Sequence, residues 1–357
     1  MSDMILNETP VRTSRNFNIN NTKIDYEKIK KYLNVKKEFK NVKVINENKN
    51  VLIDENVKSV DNTYGISKEL DDNINNYANN KKRIVISEKN NNPIEFGYKF
   101  ANKNPSLISN INIIANKNSE ATVIFKYTSD KDIECFHNKI LNVVANNNSI
   151  LNIVIVNFLN QNSINLLSIE NDIKENAKVN YTIIDFGGKA SITNYYSNLV
   201  EKESKNNIDT IYLGSKEQFF DLNYIASLRG EKCEVNIEVE GALKDKSKKH
   251  FKGTIDFVKG SKKAKGNEND SCVLLSKESK SISLPMLLCS EEDVEGNHSS
   301  SAGKIGDKEL FYIMSRGFDK KEAMKLIVRA KFNNILEKLE DETLRKDILD
   351  EIDNKLS

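Results

Sequence analysis

The sequence predicts a mainly β protein: a β-solenoid core with helical regions at both ends. Three observations carry that prediction. A β-rich segment repeats itself at about thirty residues, asparagines recur at the corners of the repeat, and helical periodicity takes over after Lys304.

Residues 1–82 read as an irregular arm with two short helices. Asp25 is placed to cap a first helix carrying Ile29, Tyr32 and Leu33 on one face. Ser67 is placed to cap a second with Leu70, Ile74 and Tyr77.

Residues 83–304 are short apolar runs separated by Asn, Lys, Gly and Ser, the texture of strands and turns. Ile111-Asn112-Ile113-Ile114-Ala115-Asn116-Lys117-Asn118-Ser119 returns thirty residues later as Leu141-Asn142-Val143-Val144-Ala145-Asn146-Asn147-Asn148-Ser149. Further turn markers fall at Asn176 and Asn207, which continues the spacing at 28 and 31 residues. A strand-built repeat of that length predicts stacked coils, with Asn at the corners because it tolerates left-handed backbone. A β-sandwich is the alternative that periodicity alone leaves open.

Residues 305–357 predict helices. Asp307 is positioned to cap Lys308–Ser315, which stops at Gly317, and Asp319 with Glu322 forms a capping box for a longer helix. Ala323, Leu326, Ile327, Ala330, Ile335, Leu336 and Leu339 are expected to form its apolar face. A last helix runs from about Glu342 to Lys355 with Leu344, Ile348 and Ile352 inward.

Composition removes several function classes. Lys plus Arg number 54 against 52 Asp plus Glu, so there is no overall field to gather nucleic acid or an anionic membrane. Apolar runs such as Ile153-Val154-Ile155-Val156 are too short to span a bilayer, and residues 1–21 lack the apolar stretch of an export signal; a cytoplasmic protein is expected. Cys135, Cys233, Cys272 and Cys289 form no C-x-x-C pair, which points to reduced, mostly buried thiols.

Nucleotide-binding, nucleophile-elbow and zinc-protease motifs are absent, and only His137, His250 and His298 are available as imidazole bases. Cys135 and His137 have the spacing of a half metal site on one strand, but nothing nearby completes a ligand set, which favours two residues of one solenoid face. The acidic run Glu291, Glu292, Asp293 and Glu295 reads as a solvated edge. His298 lies in a small, polar, glycine-flexed stretch between strand and helix, a suitable setting for an exposed ligand.

A longer pattern then emerges. Phe251-Lys252-Gly253-Thr254-Ile255-Asp256-Phe257, Gly260, Gly266 and Val273-Leu274-Leu275-Ser276 are followed by Pro285, Leu287, Asp293-Val294 and His298. Leu310-Phe311-Tyr312-Ile313-Met314-Ser315-Arg316-Gly317 comes next. In order and spacing this series resembles the SufB/SufD family of SUF iron–sulfur cluster assembly proteins. A weaker echo is Pro10-Val11-Arg12-Thr13, after which Ser14, Arg15 and Asn16 stand where family members carry tryptophans.

The resemblance implies a right-handed parallel β-helix and a non-catalytic scaffold in a SufB–SufD–SufC complex. It implies docking of a SufC-like ATPase on the C-terminal helical region, here Leu310, Phe311, Tyr312, Arg316, Gly317, Leu326 and Ile327. It implies pairing with a SufB-like paralogue or, in the SufB-like alternative, with a second copy. No cofactor would be held stably by this chain alone; iron or a cluster would pass transiently through the complex interface. Ser279 occupies the position of the SufB cysteine and His298 that of the SufD histidine, so the resemblance points to the SufD side and makes His298 the candidate metal ligand. Rival readings are a polysaccharide-active β-helix enzyme and a purely adhesive solenoid, which share the fold without the partners.

Overall fold

Each repeat of about thirty residues supplies two strands and two corners, so successive repeats stack strand upon strand. The computed structural model describes residues 3–13, 18–34, 37–57, 59 and 62–357; Ser14, Arg15 and Asn16 lie outside them. The arm contributes β1 (Asp3–Leu6), β2 (Thr22–Asp25), α1 (Tyr26–Leu33), β3 (Val42–Ile45), β4 (Val51–Asp54) and α2 (Lys68–Tyr77).

Eight coils of two strands follow. They are β5 (Asn80–Ile86) with β6 (Ile94–Phe100), β7 (Ser106–Ala115) with β8 (Glu120–Ser129), and β9 (Phe136–Ala145) with β10 (Ile150–Phe158). Next come β11 (Ile164–Ile173) with β12 (Lys178–Asp185), β13 (Ala190–Leu199) with β14 (Lys205–Gly214), and β15 (Phe219–Leu228) with β16 (Glu234–Leu243). The last two are β17 (Lys248–Phe257) with β18 (Ala264–Leu274), and β19 (Lys280–Cys289) with β20 (Val294–Lys304). Helices α3 (Asp307–Ser315), α4 (Lys320–Leu336) and α5 (Glu342–Leu356) complete the chain.

Even-numbered strands from β6 to β20 form one sheet and odd-numbered strands from β5 to β19 the other. Within the coils every pairing is parallel, for example Ile150 with Glu120 on one side and Lys178 on the other. The result is a parallel β-helix. Four short strands of the arm were not expected: β3 and β4 each add one antiparallel strand to the first coil, and β1 pairs with β2. At four residues each they are too short for an alternating pattern to register.

The interior between the sheets is aromatic and aliphatic. Phe96 stacks on Phe125 at 5.2 Å and Tyr98 on Tyr127 at 5.0 Å, while Tyr195, Tyr224 and Phe251 continue at 5.5 and 5.8 Å. Register makes these contacts repeat, because the same position on consecutive coils faces the same way.

Corner residues adopt positive φ at Asn118, Asn148, Asn176, Glu203, Lys232 and Lys263. The marker expected at Asn207 is therefore misplaced: Asn207 lies inside β14, and the corner of that coil is Glu203. Asn207 belongs instead to a ladder on the outer face of the even-strand sheet. Its amide donates to Asn180, Asn180 donates to Asn152, and Asn236, Asn267 and Asn297 extend the series at 2.8–3.0 Å with partners 27 to 31 residues apart.

Each outer face is covered by one end of the chain. Ile29, Leu33, Ile66, Leu70 and Ile74 of the arm pack on Ile108, Phe136, Ile140 and Leu166 of the odd-strand sheet; Tyr77, expected on that face, is 40% exposed. Helices α4 and α5 pack on Ile124, Val154, Ile184, Phe186, Ile211 and Leu213 of the even-strand sheet. The buried face of α4 is Ala323, Val328, Phe332, Ile335 and Leu336, so the expected face is rotated: Leu326 and Ala330 point outward, and Phe332 stacks on Phe186 at 6.4 Å. The Asp319–Glu322 capping box is present. Asp307 is the first residue of α3 and not its cap, a place held by Gly306.

Candidate functional site

His298 sits on β20, the last strand of its sheet, and pairing fixes its direction. Ile208, Ile237, Glu268 and His298 occupy one register column on β14, β16, β18 and β20. The first three are buried, Ile208 and Ile237 in the core between the sheets. Successive residues of a strand alternate faces, and Asn297 belongs to the outer ladder, so His298 ends an inward-facing column and is exposed because no ninth coil covers it.

Directly below lies a polar cluster that sequence reading missed. Lys249 on β17 and Asp270 on β18 form an ion pair with both side chains essentially without solvent contact. Ser283 on β19 donates to the same Asp270 carboxylate and accepts from Lys249 at 3.2 Å. Glu268 is 3% exposed, neither of its carboxylate oxygens has a hydrogen-bond partner among the described residues, and burial beside Asp270 pushes its carboxyl up to about 8. A Cβ on Gly253 would fall 2.1 Å from Glu268 Oε2, so glycine there makes the room that the carboxyl occupies. In the sequence, Gly266-Asn267-Glu268-Asn269-Asp270 resembles a solvated strand; only the alternation, counted from buried Ala264 and Cys272, turns the acids inward.

The other candidates are not ligands of this kind. Cys135 and His137 do not form a half metal site: both are buried in the interior, His137 Nδ1 bonds Asn165 at 2.8 Å, and burial holds its pKa down at about 3. Cys233 and Cys272 are buried thiols raised by desolvation. Cys289 is exposed at the end of β19, in register with Phe257. Ser279 is a buried turn residue donating to Ser276 O at 2.8 Å, as Ser247 does to Lys244 O at the same corner one coil earlier. Glu291 accepts from Gly260 N at 2.9 Å, and the rest of the acidic run faces solvent. Among the described residues no three His, Cys, Asp or Glu side chains converge on a metal position, and no helix is long and apolar enough to cross a membrane.

Two residues, Ile305 and Gly306, separate β20 from α3. No residue of α3 is buried. Phe311 is 73% and Tyr312 59% exposed, Arg316 lies 5.1 Å from the Tyr312 ring, and Gly317 turns the chain with φ of +99°. Leu310 and Ile327 are half-buried, and Leu326 is exposed. Met314, part of the same series, and Phe318 just beyond it are exposed apolar side chains as well.

Residues 98–331 match the family model described as SUF system FeS cluster assembly, SufBD core domain. The chain is 23% identical over 266 residues, 74% of its length, to the iron–sulfur cluster assembly protein SufD of Bacillus subtilis. It is 31% identical over 44% of its length to a SufBD family protein of Pyrococcus horikoshii, and 29% identical over 32% to the SufD of Escherichia coli. These matches span 61%, 35% and 27% of the relatives' own lengths. With two thirds of its residues inside the family model, on the coils and helices just described, the chain belongs to the SufB/SufD family of iron–sulfur cluster assembly proteins, on its SufD side.

Proposed function

We propose that this chain is a non-catalytic scaffold subunit of a SUF complex, pairing with a SufB-like paralogue and docking a SufC-like ATPase. One observation carries the reading: the strand that holds His298 at the uncovered end of the solenoid runs, through two residues, into a helix with no buried side chain. An exposed Phe311–Tyr312–Met314–Phe318 surface is what a protein partner would cover. Iron or a nascent cluster is then cargo at the interface, with His298 as this chain's ligand. ATP hydrolysis belongs to the partner, whose movement reaches β20 through α3. Membership of a cluster assembly family supports the role and disfavours a polysaccharide-active enzyme.

Co-expression of the tagged chain with a SufC-like ATPase tests this. Wild type is expected to retain the ATPase on the affinity column, and Phe311→Glu with Tyr312→Glu to release it without changing the far-UV spectrum. Failure of wild type to retain the ATPase, or full retention by the double variant, would overturn the docking assignment.

A further inference from the structure

The buried charges at the uncovered end do not balance. Lys249 meets Asp270, and among the described residues the Asp270 Oδ1 and both oxygens of Glu268, which faces the same space, have no hydrogen-bond partner. Two carboxylates thus share one cation. Gly253 leaves the room that this arrangement needs, since a Cβ there would meet the Glu268 carboxyl itself. Neighbouring strands of a parallel ladder are about 4.8 Å apart, so the His298 backbone lies one strand spacing above that of Glu268, in the same register column.

We propose that Glu268 and His298, stacked on successive coils, form a two-ligand site for a divalent transition-metal ion, ferrous iron in the assembled complex. The inference rests on the reading of the chain as a cluster assembly subunit and adds Glu268 to it. A carboxylate with an imidazole is a donor set suited to divalent iron, manganese or zinc, whereas a set without thiolate gives little advantage to a preformed cluster. The metal supplies the cation that Glu268 lacks. Asp270 stays with Lys249 and Ser283, which hold it away from the ion and keep the strand ends in register. Two protein ligands make a weak, exchangeable site whose other positions are filled by water or by the partner, as a point of iron entry requires.

The test is titration of the full chain with cobalt(II) under anaerobic conditions, read by visible absorbance, for wild type, Glu268→Gln, Glu268→Asp, His298→Ala and the control Glu295→Gln. Glu295 is an exposed neighbour on β20 paired with Lys265 at 3.0 Å. Wild type and the control are expected to bind one equivalent. Glu268→Gln and His298→Ala should each weaken binding on the order of tenfold or more. Glu268→Asp withdraws the carboxylate by one methylene and carries the test should the amide fail to fold, which thermal melting reports. Wild-type affinity in the Glu268 variants, with His298→Ala alone weakened, would overturn the inference while leaving the scaffold reading intact. No binding by wild type would overturn it as well. The scaffold reading itself fails separately, by loss of the ATPase partner in the co-purification above.

Discussion

Phe332→Ala separates the two halves of this architecture. Phe332 is fully buried between α4 and the even-strand sheet, stacked on Phe186. Truncating a buried phenylalanine costs about 3–5 kcal/mol. The ion pairs of the same interface, Lys338 with Asp209 at 2.8 Å and Lys126 with Asp347, are partly exposed and add about 0–1 kcal/mol each. Phe332 therefore outweighs any one of them, and its loss falls on the seating of α4–α5 and not on the coils, whose own interior lies on the other side of the sheet. A change of about 3 kcal/mol is roughly a hundredfold in an opening equilibrium. Native-state hydrogen exchange should show residues 320–356 losing protection by about that factor while β9 to β17 keep theirs. Unchanged protection of α4–α5, or an equal loss in every coil, would refute the view that the hairpin is a separately seated layer.

Three further outcomes are expected. Asp185 is buried, accepts from Asn157 at 2.8 Å and Ser191 at 2.6 Å, and is pushed up to about 6 by burial, with the Lys355 charge opposing. Its unfolded carboxyl ionises near 3.8, so between these values the folded chain keeps a proton that the unfolded chain gives up. Stability should fall as pH rises through that window, by up to about 3 kcal/mol, and Asp185→Asn should flatten the fall in urea melts from pH 4 to 7; a variant with the wild-type slope would exclude Asp185 as the cause. Lys139 is buried without a carboxylate partner among the described residues, donating to Tyr127 OH at 2.8 Å over the Phe125 ring, and burial pushes its pKa well down. Lys139→Met should raise the melting temperature, by roughly 1–4 kcal/mol of stability; a lower value would show that the amine is needed. Gly253→Ala should cost about 1–3 kcal/mol by crowding Glu268, and combining it with Glu268→Ala should recover much of that loss in the same assay.

The solenoid was legible because its period is carried by side chains that the coil requires: inward apolar residues at every second position and polar corners. Corner identity was less legible. Asn118, Asn148 and Asn176 follow the expected chemistry, but Glu203, Lys232 and Lys263 accept the same left-handed backbone at a cost of roughly 1–2 kcal/mol each, so Asn207 drew the eye while serving the ladder. Capping was read correctly at Asp25, at Ser67 and at the Asp319–Glu322 pair, and wrongly at Asp307, where one acidic residue fits either the cap or the first turn. The surface residues of α3 follow from the family resemblance. Glu268 does not, since its burial is created by cross-strand register with neighbours on β16, β17 and β20, which no local pattern displays.

The central claim, that this chain helps to hold cluster cargo at its uncovered end, is tested most directly by the cluster content of the assembled complex. The chain would be co-expressed anaerobically with SufB-like and SufC-like partners, wild type beside His298→Ala, and the visible absorbance of the purified complexes compared. The account predicts that both complexes assemble and that only wild type carries a cluster. A fully loaded His298→Ala complex, or no complex with wild type, would contradict it.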